Sequence, residues 1–589
     1  MDPQAALVQV AFHGAYFAIR TLRNSLSFSH AAERLILNLE IERFRLLIWG
    51  QNSGLTPPDS QPPRLPARLA SISPIINQHL DGIAKLLRDA QVLRARYGLQ
   101  ETHAQPTSSA TVRRLLERMQ KTICAAGIRV DADGDVARGS GLDSPVKRLR
   151  WAVCDLDRFS ALVEDLGSRI SKLNQLLTEA QQARAHEDSE RFNIVLVGSV
   201  ADQEVLELVL AAVNKEPVVS ATRARVENMA ISANVPLPHV VATKLALADF
   251  ALPDSWASMK RFLAAKKQHD GRVYLLERKD FDPNIGTREK RMLVSRIQHL
   301  VCLLSKPKTR ENRTPVAEGC IHDAARFCWW MVHRLPGSSL FATQRISHEP
   351  VSLAALLHPD AKFRPRLEQR YTLASDICAT LSELFSSSWL HKGIRSQNIL
   401  FPVSHMPDAS LTAAQSNELL KSMLICGFDY TRQESEQDTI DKARQSGAVA
   451  TAMYRHPSYQ GDAAAGYKLQ YDVYSLGLVL VEIALWKPLH TFVQTRPKSS
   501  THGPQTCPDP AIFHEPQAAA LKRRLLHTVD AEFGFRVGSH YHHATKFCLE
   551  FADLDASAAD DEFPTHPSLE FYNKVVVPLS RLEKGVSLD

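Results

Sequence analysis

Glycine is scarce in this chain: 25 residues of 589, about 4% against a usual ~7%, which excludes collagen-like and glycine-rich low-complexity chains and favours helix. The nine cysteines are scattered, odd in number and never spaced as CxxC. That pattern argues against a disulfide framework and against a structural zinc site, and a reducing compartment is the simplest setting. Charge of one sign is also lacking, with 70 basic against 64 acidic residues and a net +6. A surplus so thin does not by itself point to nucleic acid or lipid. No stretch reaches the ~20 apolar residues of a standard transmembrane helix. Met1-Asp2-Pro3 lacks the basic start of a secretory signal, so a cytoplasmic location is expected.

What is present is globular: 44% hydrophobic and 23% charged residues, in a chain long enough for several domains. From Pro3 to Ile19 no residue is charged, and the run holds Leu7, Val8, Val10, Phe12, Tyr16, Phe17 and Ile19. Its 17 residues sit at the bottom of the range that spans a bilayer. Leu37, Ile41, Phe44 and Ile48 repeat at helical spacing, and Trp49-Gly50 is expected to close that helix. A loop with Pro57, Pro58, Pro62, Pro63 and Pro66 follows, then an amphipathic helix marked by Ile72, Ile76, Leu80, Ile83 and Leu87. A shorter helix is expected over 111–125 and a Gly/Asp loop over 127–143. The clearest periodicity, Leu149, Val153, Leu156, Phe159, Val163, Leu166, Ile170, Leu173 and Leu177, predicts one long helix. These stripes make an all-α helical bundle over residues 1–180. Residues 181–239 are expected to be a linker or brace, with a short β-like run at 192–198. Beyond them, strand candidates at 272–276, 325–333, 399–401 and 423–426, with helices at 288–304 and from 367 onward, suit an α+β architecture.

Motifs in that second part carry chemistry. His391-Lys-Gly-Ile-Arg-Ser-Gln-Asn398 has the frame of the protein-kinase catalytic loop, H-R-D-L-x-x-x-N. Leu424-Ile-Cys-Gly427-Phe428-Asp429 stands where the D-F-G segment falls, Tyr454-Arg-His-Pro457 where A-P-E falls, and Asp472-Val-Tyr-Ser-Leu-Gly477 matches D-x-W-S-x-G. Four motifs in the right order at plausible spacings are a specific signal, and residues 240–589 resemble a bilobal protein-kinase-like domain.

The resemblance assigns roles and also removes them. The position of the proton-accepting Asp is Gly393, and that of the metal-holding D-F-G Asp is Gly427. Asn398, a metal ligand in kinases, is kept, and no G-x-G-x-x-G loop precedes the small-lobe strands. Lys279 is the candidate phosphate-pairing lysine, with Glu289 as its candidate partner. Lys279 and Asn398 are thus the candidate nucleotide remnant. Asp429 lies two positions from the metal-ligand place. His391, Phe428 and Asp472 serve loop bracing and core packing in this frame. A site without base and principal metal carboxylate lacks the groups phosphoryl transfer depends on. A catalytically dead domain with no cofactor, residual ATP included, is the expectation.

The first part resembles the HeLo domain of fungal cell-death and heterokaryon-incompatibility proteins (prion-inhibition and propagation, HET-s-like). The matching features are the uncharged N-terminal helix, Leu46-Leu-Ile-Trp49-Gly50, the Pro-rich loop and the helix from Lys147-Arg-Leu-Arg-Trp151 to Leu177. The resemblance implies membrane-directed toxicity, with residues 7–19 as the inserting segment. It further implies anionic lipids as partners, homo-oligomers on activation, and an upstream protein trigger. A scaffold that binds protein partners and never enters lipid fits the same residues, and an atypical kinase using Asp429 is a third reading. No nucleic-acid reader motif appears, and His540-Tyr-His-His543 is taken as surface histidines rather than metal ligands.

Overall fold

In the computed structural model the uncharged N-terminal run is helix α1 (Pro3–Ser25). Its inward stripe of Val8, Phe12, Tyr16, Ile19 and Leu22 is buried, Phe17 is half-buried, and Leu7 and Val10 stay exposed. The structure describes residues 3–27, 32–55, 65–102, 150–200, 203–212, 243–268, 272–305, 312–335, 349–403, 411–428, 449–460, 466–493, 515–554 and 567–586, with isolated residues between them. The helix expected over 111–125, the loop over 127–143, Pro57, Pro58, Pro62, Pro63 and Asp429 lie outside the described residues. The chain divides into two units, Met1–Val226 and Glu227–Asp589.

In the first unit, β1 (Leu26–Ser27) leads to α2 (Glu33–Asn52), α3 (Ser73–Arg88), β2 (Leu99–Thr102), β3 (Arg150–Val153), α4 (Leu156–Gln175), α5 (Glu179–Ser199) and α6 (Gln203–Ala212). Pro74 in the first turn of α3 needs no N–H there, and Ile76, Leu80, Ile83 and Leu87 form its buried stripe. α1 packs on α3 and α2, and α2 on α4. The Trp49 indole N–H donates to the Leu173 carbonyl at 3.0 Å, pinning α2 to α4.

Three expectations are corrected here. The long helix does not begin at Leu149. Residues 150–153 form β3, paired antiparallel with β2 and parallel with β1, and Trp151 is fully buried. The helix starts only after Asp155, whose carboxylate accepts the Arg158 N–H at 3.0 Å. The run 192–198 is helix, not strand, because α5 is nucleated by a capping box between Thr178 and Gln181 and continues through it. A short apolar run alone does not separate buried helix from strand. Gly50 does not end α2. The helix closes at Asn52 with Gly54 at φ +83°, the Leu55 N–H on the Gly50 carbonyl and the Gly54 N–H on that of Gln51. These are the bonds of a glycine-closed helix end, displaced four residues from Gly50.

The second unit opens with an antiparallel sheet of β4 (Arg261–Ala265), β5 (Val273–Asp280), β6 (Val316–Asp323) and β7 (Cys328–Arg334), ordered β4-β5-β7-β6, with α7 (Thr287–Ser305) between β5 and β6 in the chain. Residues 325–327, expected as the start of a strand, form instead the turn before β7, which Asp323 caps. One face of the sheet buries Phe250, Phe262, Tyr274, Leu276, Trp330 and Val332. The opposite face, through Leu263 and Leu275, meets Leu400, Leu424 and Cys426.

Leu400 and Leu424 belong to a hairpin of β9 (Ile399–Phe401) and β10 (Leu424–Ile425), which Cys426 directly follows. Helices dominate the rest. α8 (Leu469–Leu485) is buried from Leu469 to Ala484, as an all-round apolar helix must be. It packs against α9 (Gly534–Leu554) at Gly477, where a Cβ would lie 2.9 Å from the Cys548 Cβ. The unit is a kinase-like α+β domain: a small antiparallel sheet with one helix, set on a larger helical part. Among the described residues, no helix of the chain is long and apolar enough to cross a membrane.

Candidate functional site

The site is built where the sheet meets the β9–β10 hairpin. Asp472, in the first turn of α8, holds the loop from below. Its carboxylate accepts the His391 N–H at 2.6 Å, the Lys392 N–H at 2.8 Å and the Tyr467 hydroxyl at 2.7 Å. Burial pushes its carboxyl up to about 6, despite the bonds from Tyr467, Lys392 and His391 that favour the anion. Lys392 is thereby held at φ +61°, and its ammonium lies over the Tyr459 and Tyr467 rings. The His391 imidazole accepts the Gly393 N–H at 3.2 Å and lies 4.7 Å from the Phe428 ring. Burial first, then the nearby arginines, lowers it to about 4.

The structure therefore brings His391, Gly393, Asn398, Gly427, Phe428 and Asp472 together. Both ends of the Asn398 amide are engaged. Nδ2 donates to the Gly393 carbonyl at 2.7 Å, and Oδ1 accepts from the Arg261 guanidinium at 2.6 Å. Gly427 has φ +85°, and a Cβ placed on it would lie 2.2 Å from Asn398 Nδ2. A Cβ on Gly393 would approach the Gly427 carbonyl to 3.1 Å. The volume an aspartate would need at 427 is filled by Asn398.

Lys279 does not stand at the centre. It lies two residues further along β5, in register with Trp329, and Glu289 accepts the Gly286 N–H at 2.7 Å at the start of α7. The β5 residue that reaches the metal-motif position is Glu277, whose carboxylate accepts the Gly427 N–H at 3.0 and 3.1 Å. Arg261 Nε lies 3.7 Å from it and His333 Nε2 3.6 Å. Burial alone would raise this carboxyl, but His333, Arg261 and the Gly427 N–H hold it at about 2. Arg261, Glu277 and His333 escaped the motif reading. Glu277 was discoverable by parity alone, as the one acid sharing a strand face with Leu275.

A second buried carboxylate ties the loop to the segment at 454–457. Glu482 on α8 accepts the Tyr454 hydroxyl at 2.8 Å, the Leu489 N–H at 2.7 Å and the Ser396 hydroxyl at 3.3 Å. Burial pushes it up to about 7.

In the first unit, α1 is held by a buried polar chain. The Arg43 guanidinium donates to the Tyr16 hydroxyl and pairs with Glu40, which Arg23 approaches at 3.9 Å.

Residues 5–209 match the model of the HeLo family, described as prion-inhibition and propagation. Residues 5–209 thus form a HeLo-type domain, and the α+β unit described above follows it in the chain. No curated protein matches the sequence. Among solved structures, the crystal structure of the yeast RNA Pol II CTD kinase CTDK-1 complex is similar at 12% identity and a TM-score of 0.31, over 53% of this chain and 90% of that one.

Proposed function

We propose that this protein is a cell-death or incompatibility-type signalling protein, in which the HeLo bundle acts on membranes under the control of a kinase-like domain that transfers no phosphate. The observation that carries the non-catalytic half is the Gly393–Asn398–Gly427 packing. Gly393 and Gly427 occupy the base and principal metal positions of the motifs, the Glu277 carboxylate is engaged by the Gly427 N–H, and the remaining amide has both ends bonded. The reaction depends on carboxylate charges at those positions. The membrane half is supported by α1, an apolar helix with Leu7 and Val10 exposed at 64% and 59%. Its partners on this reading are anionic lipids, further copies of the chain and an upstream protein. It works from the cytoplasm, needing neither nucleotide nor metal.

A second reading, a scaffold that never enters lipid, draws on the other face of the same helix, since Val8, Phe12, Tyr16 and Ile19 are core residues.

Dye release from anionic vesicles by residues 1–226 and by the full chain separates the two, with Leu7→Glu/Val10→Glu as the control. Glutamates at these exposed positions disturb the folded bundle little, yet oppose insertion by about 2–3 kcal/mol each. Leakage by residues 1–226 that the double variant abolishes supports the membrane reading; leakage from neither protein leaves the scaffold. Incorporation of labelled phosphate from ATP above background would sink the non-catalytic half.

A further inference from the structure

We propose that Arg261 is a built-in ligand of the kinase-like cleft, clamping the small sheet onto the loop region so that the domain closes without nucleotide. The clamp has two arms from adjacent strands. From β4, the Arg261 guanidinium donates to the Gln397 carbonyl at 3.2 Å and to Asn398 Oδ1 at 2.6 Å. From β5, Glu277 accepts the Gly427 N–H. Both arms end on the segments that in a kinase hold metal and phosphates.

Charge makes the occupancy self-sufficient. In a nucleotide site, cations and donors face a polyanion. Here a fully buried carboxylate, Glu277, faces the same segments and is countered from within by the Arg261 guanidinium, with His333 Nε2 at 3.6 Å. The side chains of Glu277 and His333 are 2% and 0% exposed, that of Arg261 18%. Behind them Leu263 and Leu275 close on Leu400, Leu424 and Cys426, excluding water and strengthening each charge interaction. A triphosphate entering this space would displace Arg261 from Asn398 and meet the Glu277 anion at close range. The cleft is therefore filled by the protein's own arginine, and the sheet is locked onto the loop region by the hydrogen bonds of Arg261 and Glu277, which a partner, rather than a nucleotide, must break.

The inference rests on the non-catalytic reading above, and the two fail separately. Hydrogen exchange and thermal unfolding of the full-length protein, with and without millimolar MgATP, test it. MgATP should leave both unchanged. The variant Arg261→Ala/Glu277→Gln removes both charges, so that neither is stranded. It should speed exchange of the Cys426 and Gly427 amides about tenfold or more and leave the amides of α4 in the first unit unchanged. If that variant does not fold, Arg261→Lys, which cannot span both acceptors, gives the same readout. Protection of these amides by MgATP in the wild type would overturn the clamp, as would unchanged exchange in the variants. Phosphate transfer, read by label incorporation, would instead overturn the non-catalytic reading.

Discussion

Asn398 and Gly427 compete for one volume: the asparagine amide lies where a side chain at 427 would begin, 2.2 Å from an ideal Cβ. The glycine also sits at φ +85°, a conformation that other residues adopt only with strain. Gly427→Ala is therefore expected to destabilise the second unit by about 2–4 kcal/mol, as crowding and backbone strain add. Denaturant unfolding checks this, and a loss under 1 kcal/mol by the same reasoning would mean that Asn398 yields easily.

Asp472 organises the loop through three accepted hydrogen bonds. Replacing one oxygen by an amide turns an acceptor into a donor facing a donor. Asp472→Asn should lower stability by about 2–3 kcal/mol, since buried donors lose their partner. Faster hydrogen exchange of the His391 and Lys392 amides is the local signature to look for.

Glu482 gives a pH dependence with a definite sign. Its carboxyl goes from an ordinary 4.5 in the unfolded chain to about 7 in the fold. Between those values the folded protein holds a proton that the unfolded chain has released, so stability falls as pH rises from about 4.5 to about 7. His391, lowered to about 4 from 6.5, acts in the opposite direction, losing its contribution as pH falls through that range. Comparing wild type with Glu482→Gln isolates the first effect. The variant should gain on wild type by about 2–3 kcal/mol between pH 4.5 and 7.5. Parallel stability curves would refute the assignment.

Through Tyr16, and also through Arg23, α1 reaches the buried Arg43–Glu40 pair. Tyr16→Phe keeps the ring in the core and deletes the acceptor, at about 1–2 kcal/mol because the lost bond involves a charged donor. Exchange should quicken across α1 more than across α4. On the membrane reading, vesicle leakage should rise with it.

Part of this was legible in the sequence because the information was local. The frame from His391 to Asn398 and the Asp472–Gly477 stretch are short, ordered motifs, and the structure sets them side by side. The stripes of α3 and α4 could be read from spacing because each helix buries a single face. The clamp was not legible. Arg261 meets Asn398 across 137 positions of sequence, and nothing near either residue announces the other. Lys279 drew attention by its type, whereas strand register gives the central place to Glu277. The segment 150–153 reads as a continuation of the helical stripe because Trp151 and Val153 suit either periodicity. Pairing with β1 and β2, invisible locally, decides it.

The packing around Gly427 also limits which single substitutions the cleft can take. An aspartate substituted at 427 would meet the Asn398 amide and an unfavourable backbone angle together, before any benefit from metal could be felt. Accommodating a carboxylate there would require Asn398, Arg261 and Glu277 to change in concert. The packing thus behaves as a ratchet: substitutions elsewhere can tune how firmly this cleft stays shut, while no single change at 427 seats a carboxylate there.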